Sequence, residues 1–415
     1  MSGKKKKETY IQSLEGLTRK HSQWRDVIHR LFKNRLAIVG LILVAVVLFA
    51  TIFANFLTPY DYSAQSFSEM CIRDSVGTAS TGGSRGIYRI RLNAATGEIH
   101  VLDTMPMYHA GYLTISKDRR NLYVLSEGMT FKGRASGGIT AYDISDGKFE
   151  ELNWAVTGGQ RPCFVYCDDN SAEIYVSNFY QGTMAAFRRQ DHGRIGERLA
   201  CVKAHDTTPV GPFLHCVMKS PAGRYLAALE LIGGSIYIYD CENQYRLVWK
   251  EELEAHSGPR HMVFSEDGRF LYVNRQDDEK VSVYYFAPDS KRILTHVQTI
   301  SVRTPDMKGK TEPAAIRLCP GGRLLAVSNR GMGRENREDS ISIYGVDTET
   351  GRITLISVIK TEGEMPRDIN FTPDGKFLVV AYQFHGYLDL FRVEGETLIY
   401  TGAGFKIPSP VCIAF

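Results

Sequence analysis

Residues 265–276 read SEDGRFLYVNRQ, a polar turn with a glycine at its tightest point and then a short run of β-prone apolar residues. The same pattern recurs as SKDRRNLYVLSE from Ser116, DDNSAEIYVSNF from Asp168, SPAGRYLAALEL from Ser220, CPGGRLLAVSNR from Cys319 and TPDGKFLVVAYQ from Thr372. Successive starts lie 52, 52, 45, 54 and 53 residues apart, so one structural unit repeats about every fifty residues. Within a period every signal is strand or turn: HMVF, the EDGR turn, FLYV, a polar loop, VSVYYF, and a last strand after a second turn. Four strands in fifty residues make a propeller blade, which hides sheet edges by radial repetition; the absence of helical periodicity between strands argues against a parallel α/β sheet.

Six such units leave two fragments. GIYRIRL after Gly86 and EIHVLDT after Glu98 fit the outer strands of a blade, and the terminal PSPVCIAF fits an innermost strand. Joined, they close a seventh blade from both ends of the chain. The expected fold is therefore all-β, a seven-bladed β-propeller over residues 76–415. The second strand of the split blade is the weak point, because SFSEMCIRDS is polar and unlike a strand, leaving only VGT.

The front of the chain is a different material. From Leu36 to Leu57, LAIVGLILVAVVLFATIFANFL carries no charge and is long enough to cross a bilayer as one helix. Through Ser75 there are eleven Lys and Arg against six Asp and Glu, and nearly all those cations precede the span, which places the N-terminus in the cytosol. The remainder is almost neutral and offers no basic field for nucleic acid. A mean hydropathy of -0.20 excludes a polytopic membrane protein. We therefore divide the chain at 1–75, a basic segment with a single N-terminal transmembrane helix at about 36–57, and 76–415, the propeller. With no Gly/Ser linker between them, the chain reads as a chimera, in contact with a membrane only through that helix.

Eight cysteines without paired CxxC spacing read as buried apolar side chains in a reducing compartment, which places the propeller itself in the cytoplasm. His256, His261, His296 and His385 lack HExxH spacing, so no metal is expected. GTASTGGSRG lacks the Lys-Ser/Thr of a phosphate loop, and GRENRED reads as a solvated loop. Neither these stretches nor the rest of the chain calls for a cofactor.

Propellers bind small ligands where innermost strands and their entering loops converge on the axis. Residues near those strands are His215, Arg260, Pro313, Arg317 and Arg367; Glu127 and Arg330 fall at the ends of second strands. The alternative for Arg260 and Arg330 is an ion pair between blades, and for His215 a satisfied channel histidine.

At GPRHMVFSEDGRFLYVN, SNRGMGRENREDSISIYGVDTETGRI, MPRDINFTPDGKFLVVAYQ and PSPVCIAF, the propeller resembles the lactonase-type seven-bladed family, which includes 6-phosphogluconolactonases and a fungal carboxy-muconate cyclase. The resemblance implies hydrolysis of a sugar lactone in carbohydrate metabolism, with a small anionic lactone as partner, no nucleic acid, no cofactor and a monomeric state. It carries the family's catalytic set onto His215, Arg260, Gln276 and Arg330. Gln276 stands where the family has a glutamate, and an amide cannot take a proton as a carboxylate does. Phe164 stands where relatives often have histidine. The implied site is thus His215 and Gln276 as catalytic residues, with Arg260, Arg330 and Glu127 binding substrate. A non-catalytic ligand-binding or scaffold propeller is the alternative. Separately, WRDVIHRLFKNRLAIVGLILVAVVLFATIFANFLTPYDY resembles the first membrane segment of oligopeptide ABC permeases, but over so short a stretch it implies a fragment without transport activity.

Overall fold

The computed structural model describes residues 71–79, 83–93, 98–204, 213–332 and 337–415, with six isolated helical positions between Lys33 and Val44. The expected membrane span lies outside the described residues apart from four of those positions. Among the described residues no helix is long and apolar enough to cross a membrane. Met70–Phe415 forms one compact unit, separate from Met1–Glu69.

That unit is seven antiparallel sheets of four strands each. Its turns explain the repeat. In Ser265–Phe270 the Ser265 hydroxyl donates to Asp267 Oδ1 at 2.6 Å, and Asp267 Oδ1 accepts the Arg269 amide at 3.0 Å. The Ser265 Oγ also accepts the Phe270 amide at 2.9 Å, while Gly268 takes φ 74°. Thr372, Asp374 and Gly375 repeat the construction, with 2.6 Å from Thr372 Oγ1 to Asp374 Oδ1 and φ 69° at the glycine. Ser116, Asp118 and Arg119 (φ 59°) build it a third time, while the turns at Ser220 and Cys319 lack the carboxylate and keep the left-handed residue three on, Gly223 and Gly322.

After each turn the chain runs between neighbouring blades, so second strands such as Phe270–Arg275 and Phe377–Tyr382 are buried on both faces. Outer strands such as Leu294–Ser301 bury one end only.

The closing sheet pairs Pro410–Ala414, Cys71–Thr78, Gly86–Asn93 and Ile99–Pro106 in that spatial order. The split blade is as expected, but its second strand is not the remnant VGT: Cys71 to Ser75 pair with Asn93 to Arg89, and Ser75 also faces Ala414. Ser75 to Gly77 are paired on both sides, whereas Cys71 to Asp74 pair only with Asn93 to Ile90, so the polar extension is held by main-chain hydrogen bonds to one neighbour. The propeller therefore starts upstream of Val76. A chain begun at Val76 loses several ladder bonds worth about 0.5–1.5 kcal/mol each. Its thermal midpoint is expected to fall by roughly 4 °C or more below that of a chain begun at Met70. Coincident melting curves would show that the upstream residues add nothing.

The innermost strands position the site. Pro162–Asp168, Leu214–Lys219, Pro259–Phe264, Thr311–Leu318, Pro366–Phe371 and Pro410–Ala414 each break register at the same level. The break leaves Cys163, His215, Arg260, Ala314, Arg367 and Val411 without a cross-strand partner, and such bulges re-aim side chains. Four of these strands open on proline after a residue of positive φ: Arg161 (51°), Gly258 (61°), Met365 (68°) and Ser409 (47°). The proline bars the right-handed helical region for its predecessor, and the left-handed residue turns the chain into the axis.

Candidate functional site

The bulge residues form a ring around the axis, and above it lies a second ring made by the residue that ends each second strand. Pairing of Pro259 with Arg275, Pro162 with Asn178, Leu214 with Glu230 and Pro313 with Asn329 places Gln276, Phe179, Leu231 and Arg330 at one level. Glu127 follows Ser126 at the corresponding end of the Asn121–Ser126 strand. A cavity of about 190 Å³ opens between the rings, lined by Glu127, Arg161, Cys163, Phe179, His215, Leu231, Arg260, Gln276, Arg330 and Arg367. All five expected site residues, His215, Gln276, Arg260, Arg330 and Glu127, are in it. Arg317 and Pro313 are not. Arg161, Cys163 and Arg367 complete the lining; Arg367 was a candidate from its position, while the other two gave no sequence signal beyond preceding or following Pro162.

Among the described residues, four guanidiniums thus converge on a cavity with a single carboxylate in its lining. Arg330 is held: its Nη2 donates to Gln276 Oε1 at 2.7 Å and to Glu312 Oε2 at 3.0 Å. Arg260, only 3% exposed, donates to the Ala314 carbonyl and lies 3.3 Å from His261 Nδ1. Among the described residues Arg161, Arg260 and Arg367 form no ion pair. Burial, followed by the Arg330 and Arg367 charges, pushes the Arg260 guanidinium well below its usual range. Arg330 is lowered to about 10 by burial first and then Arg367. The described cations of this site outnumber the carboxylates that face them, Glu127 and the Glu312 paired with Arg330, which is the condition for binding an anion.

His215 is buried with its Nδ1 unpartnered, stacked edge-on 5.1 Å from His261 and 5.7 Å from Phe179. Burial, then Arg260, Arg367 and Arg330, hold its pKa well below the usual histidine range, so it is a neutral imidazole at pH 7. Gln276 is occupied at both ends, accepting from Arg330 and donating through Nε2 to Asp277 Oδ1 at 3.2 Å. Its loop is shaped by Gly258, whose left-handed conformation and absent side chain make room for Asp277, 2.6 Å from where a Cβ would stand.

Phe179, the aromatic residue of the lining, packs 4.9 Å from Phe213, with Tyr180 6.3 Å from the Phe213 ring. Phe164 is not in the lining. It belongs to the floor, 4.6 Å from Tyr112 and 5.3 Å from His261. Below the floor a second cavity of about 200 Å³ opens, with Tyr166, Met218 and Arg317 among its walls. Arg317 ties the two levels together by donating to Asp368 Oδ1 at 2.9 Å and to the Tyr112 hydroxyl at 3.3 Å.

Residues 75–415 match the family described as lactonase, 7-bladed beta-propeller, and residues 22–72 match the N-terminal TM domain of oligopeptide transport permease C. The 6-phosphogluconolactonase of Bacillus subtilis is 27% identical over 356 residues, covering 82% of this chain and 97% of its own. That of Formosa agariphila is 27% identical over 329 residues, covering 75% and 89%. The solved periplasmic gluconolactonase of Pseudomonas aeruginosa superposes with a TM-score of 0.74 at 26% identity, covering 82% of this chain and 98% of that one.

Proposed function

The chain belongs to the seven-bladed β-propeller lactonase family, and on that premise we propose that its propeller is a lactone hydrolase of the 6-phosphogluconolactonase type. The observation that carries this reading is the axial cavity, lined among the described residues by four arginines and one carboxylate, three of the arginines without an ion pair. A phosphorylated sugar lactone fits that charge, and its ring carbons fit against Phe179 and Leu231 in the lining. Arg260, with Arg161 and Arg367 beside it, receives the acidic group. Arg330, fixed by Gln276 and Glu312, is oriented for the carbonyl oxygen, where a guanidinium stabilises the charge that develops on attack. Glu127, beside Gly111 in the same cavity, contacts the substrate as well. His215 and Gln276 orient the attacking water. Among the described residues the cavity is lined by the propeller alone, and we read the chain as a fusion of two unlike pieces.

The test is hydrolysis of freshly made 6-phosphogluconolactone by the whole chain, measured against the spontaneous rate at neutral pH. The expected result is a saturable acceleration that inorganic phosphate inhibits competitively. The locked amide of Gln276 favours one other reading, a propeller that binds an acidic sugar without hydrolysing it. Tight binding of 6-phosphogluconate with no acceleration would select that reading instead.

A further inference from the structure

We propose that Glu127 is the proton acceptor that activates water in this cavity, the role Gln276 cannot fill; the inference rests on the lactonase reading above. In the other blades the bulge position carries a side chain, but in the first blade the corresponding residue is Gly111. A Cβ built on Gly111 would stand 1.9 Å from Glu127 Oε1 and 2.5 Å from its Oε2. Glu127 therefore fills the slot a bulge side chain would take, and its carboxylate reaches the level of Cys163, His215, Arg260 and Arg367. An alanine at 111 would expel it. Among the described residues Glu127 makes no ion pair, and it is the one carboxylate in the lining. Gln276, by contrast, has neither a proton-accepting group nor a free end.

The step balances without any further reagent. As the water oxygen bonds to the lactone carbonyl carbon, a water proton passes to Glu127 and the carbonyl electron pair moves onto oxygen, facing a guanidinium. Collapse of this adduct breaks the ring C–O bond. The departing ring oxygen recovers the proton from Glu127, leaving a hydroxy acid whose carboxyl proton goes to solvent. One carboxylate thus serves as base and then as acid, as general acid–base catalysis requires of a group that is restored each cycle.

The surroundings suit the task. Burial raises the Glu127 carboxyl above its ordinary range, opposed by Arg367, Arg161 and Arg260. The other groups facing the cavity are Arg330, the neutral His215 and the Cys163 thiol, which burial pushes up to about 12. An anion bound to the arginines offsets their charge and lifts Glu127 further. The ionised base is lost as pH falls through its raised pKa, so the acid limb of kcat/KM is expected above the ordinary glutamate value of about 4.3.

The experiment compares whole-chain wild type, Glu127→Gln and Glu127→Asp on 6-phosphogluconolactone between about pH 4.5 and 8, with 6-phosphogluconate binding and melting curves alongside. Glu127→Gln is expected to lower kcat by roughly 10²- to 10⁴-fold and to abolish the acid limb, while product affinity changes less than about tenfold. Glu127→Asp should keep an acid limb, displaced from that of wild type, with part of the rate. If Glu127→Gln keeps its rate and its acid limb in an active protein, the base is elsewhere and the lactonase reading survives. Should Glu127→Gln not fold, an acid limb in Glu127→Asp identical to wild type overturns the proposal as well. A wild type that hydrolyses no lactone removes the lactonase reading and this inference together.

Discussion

Arg260→Ala is expected to lower kcat/KM for 6-phosphogluconolactone by on the order of 2–5 kcal/mol of transition-state binding, a factor of roughly thirty to several thousand. It is also expected to leave the thermal midpoint of the unliganded protein unchanged or higher. The two halves come from one fact. Arg260 is 3% exposed, its charge is opposed by Arg330 and Arg367, and among the described residues it has no carboxylate partner. Such a group costs the folded state free energy that only a bound anion returns. The contrasting variant is Arg330→Ala, which orphans Glu312 and the Gln276 carbonyl and should lose stability as well as activity. Arg260→Lys should recover only part of the rate, since an ammonium cannot make the paired hydrogen bonds of a guanidinium. A fall in the midpoint of Arg260→Ala comparable to that of Arg330→Ala would make Arg260 a structural residue.

Saturating 6-phosphogluconate should accordingly stabilise wild type more than Arg260→Ala, because ligand that binds only the folded state adds RT ln(1 + [L]/Kd). Function here opposes stability at a definite place, the ring of bulges. A bulge frees a side chain from the pleat and turns it to the axis, so the fold can exchange residues there without disturbing its ladders. Ala314 and Val411 occupy two of those places with side chains that do nothing chemical, while His215, Arg260 and Arg367 occupy three others.

The repeat was legible because it is local chemistry: Ser265, Asp267 and Gly268 build one turn, and Thr372, Asp374 and Gly375 build it again. The rim residues Glu127, Gln276 and Arg330 were legible for the same reason, as each stands at the same count from the start of its turn, Ser116, Ser265 or Cys319. The strand Cys71–Thr78 was not. Its polar upstream half, Cys71 to Asp74, pairs through the backbone with Asn93 to Ile90, and backbone pairing leaves no apolar pattern to read. Arg161 also stayed hidden, because its place at the cavity follows from a left-handed backbone at φ 51° before Pro162 rather than from any motif. In retrospect the recurring residue–proline–residue entry to the innermost strands, seen at Arg161–Cys163, Gly258–Arg260 and Met365–Arg367, marks the lining. The role of Gly111 could not be seen at all, since it lies in what a side chain there would strike.

The floor of the cavity yields the second large expectation. Asp368→Ala is expected to destabilise the propeller by about 3–5 kcal/mol, the usual cost of removing one partner of a buried pair, and to lower the thermal midpoint by on the order of 10 °C. Asp368 is 1% exposed; its Oδ1 accepts from Arg317 at 2.9 Å and its Oδ2 from the Ile413 amide at 2.9 Å. Alanine would leave a guanidinium facing Tyr112 without its counter-charge and a backbone amide of the closing strand without an acceptor. That strand, Pro410–Ala414, holds the two ends of the propeller together through Cys71–Thr78. Damage at Asp368 should therefore appear first as faster hydrogen exchange at Ile413 and its partner Val76, ahead of the second strands, which are buried between blades. Replacing both members, as Arg317→Met with Asp368→Leu, should recover much of the loss, since a buried ion pair is often replaceable by apolar side chains of similar volume. If Asp368→Ala melts like wild type, or if its exchange rises uniformly over all seven blades, the pair does not secure the closure.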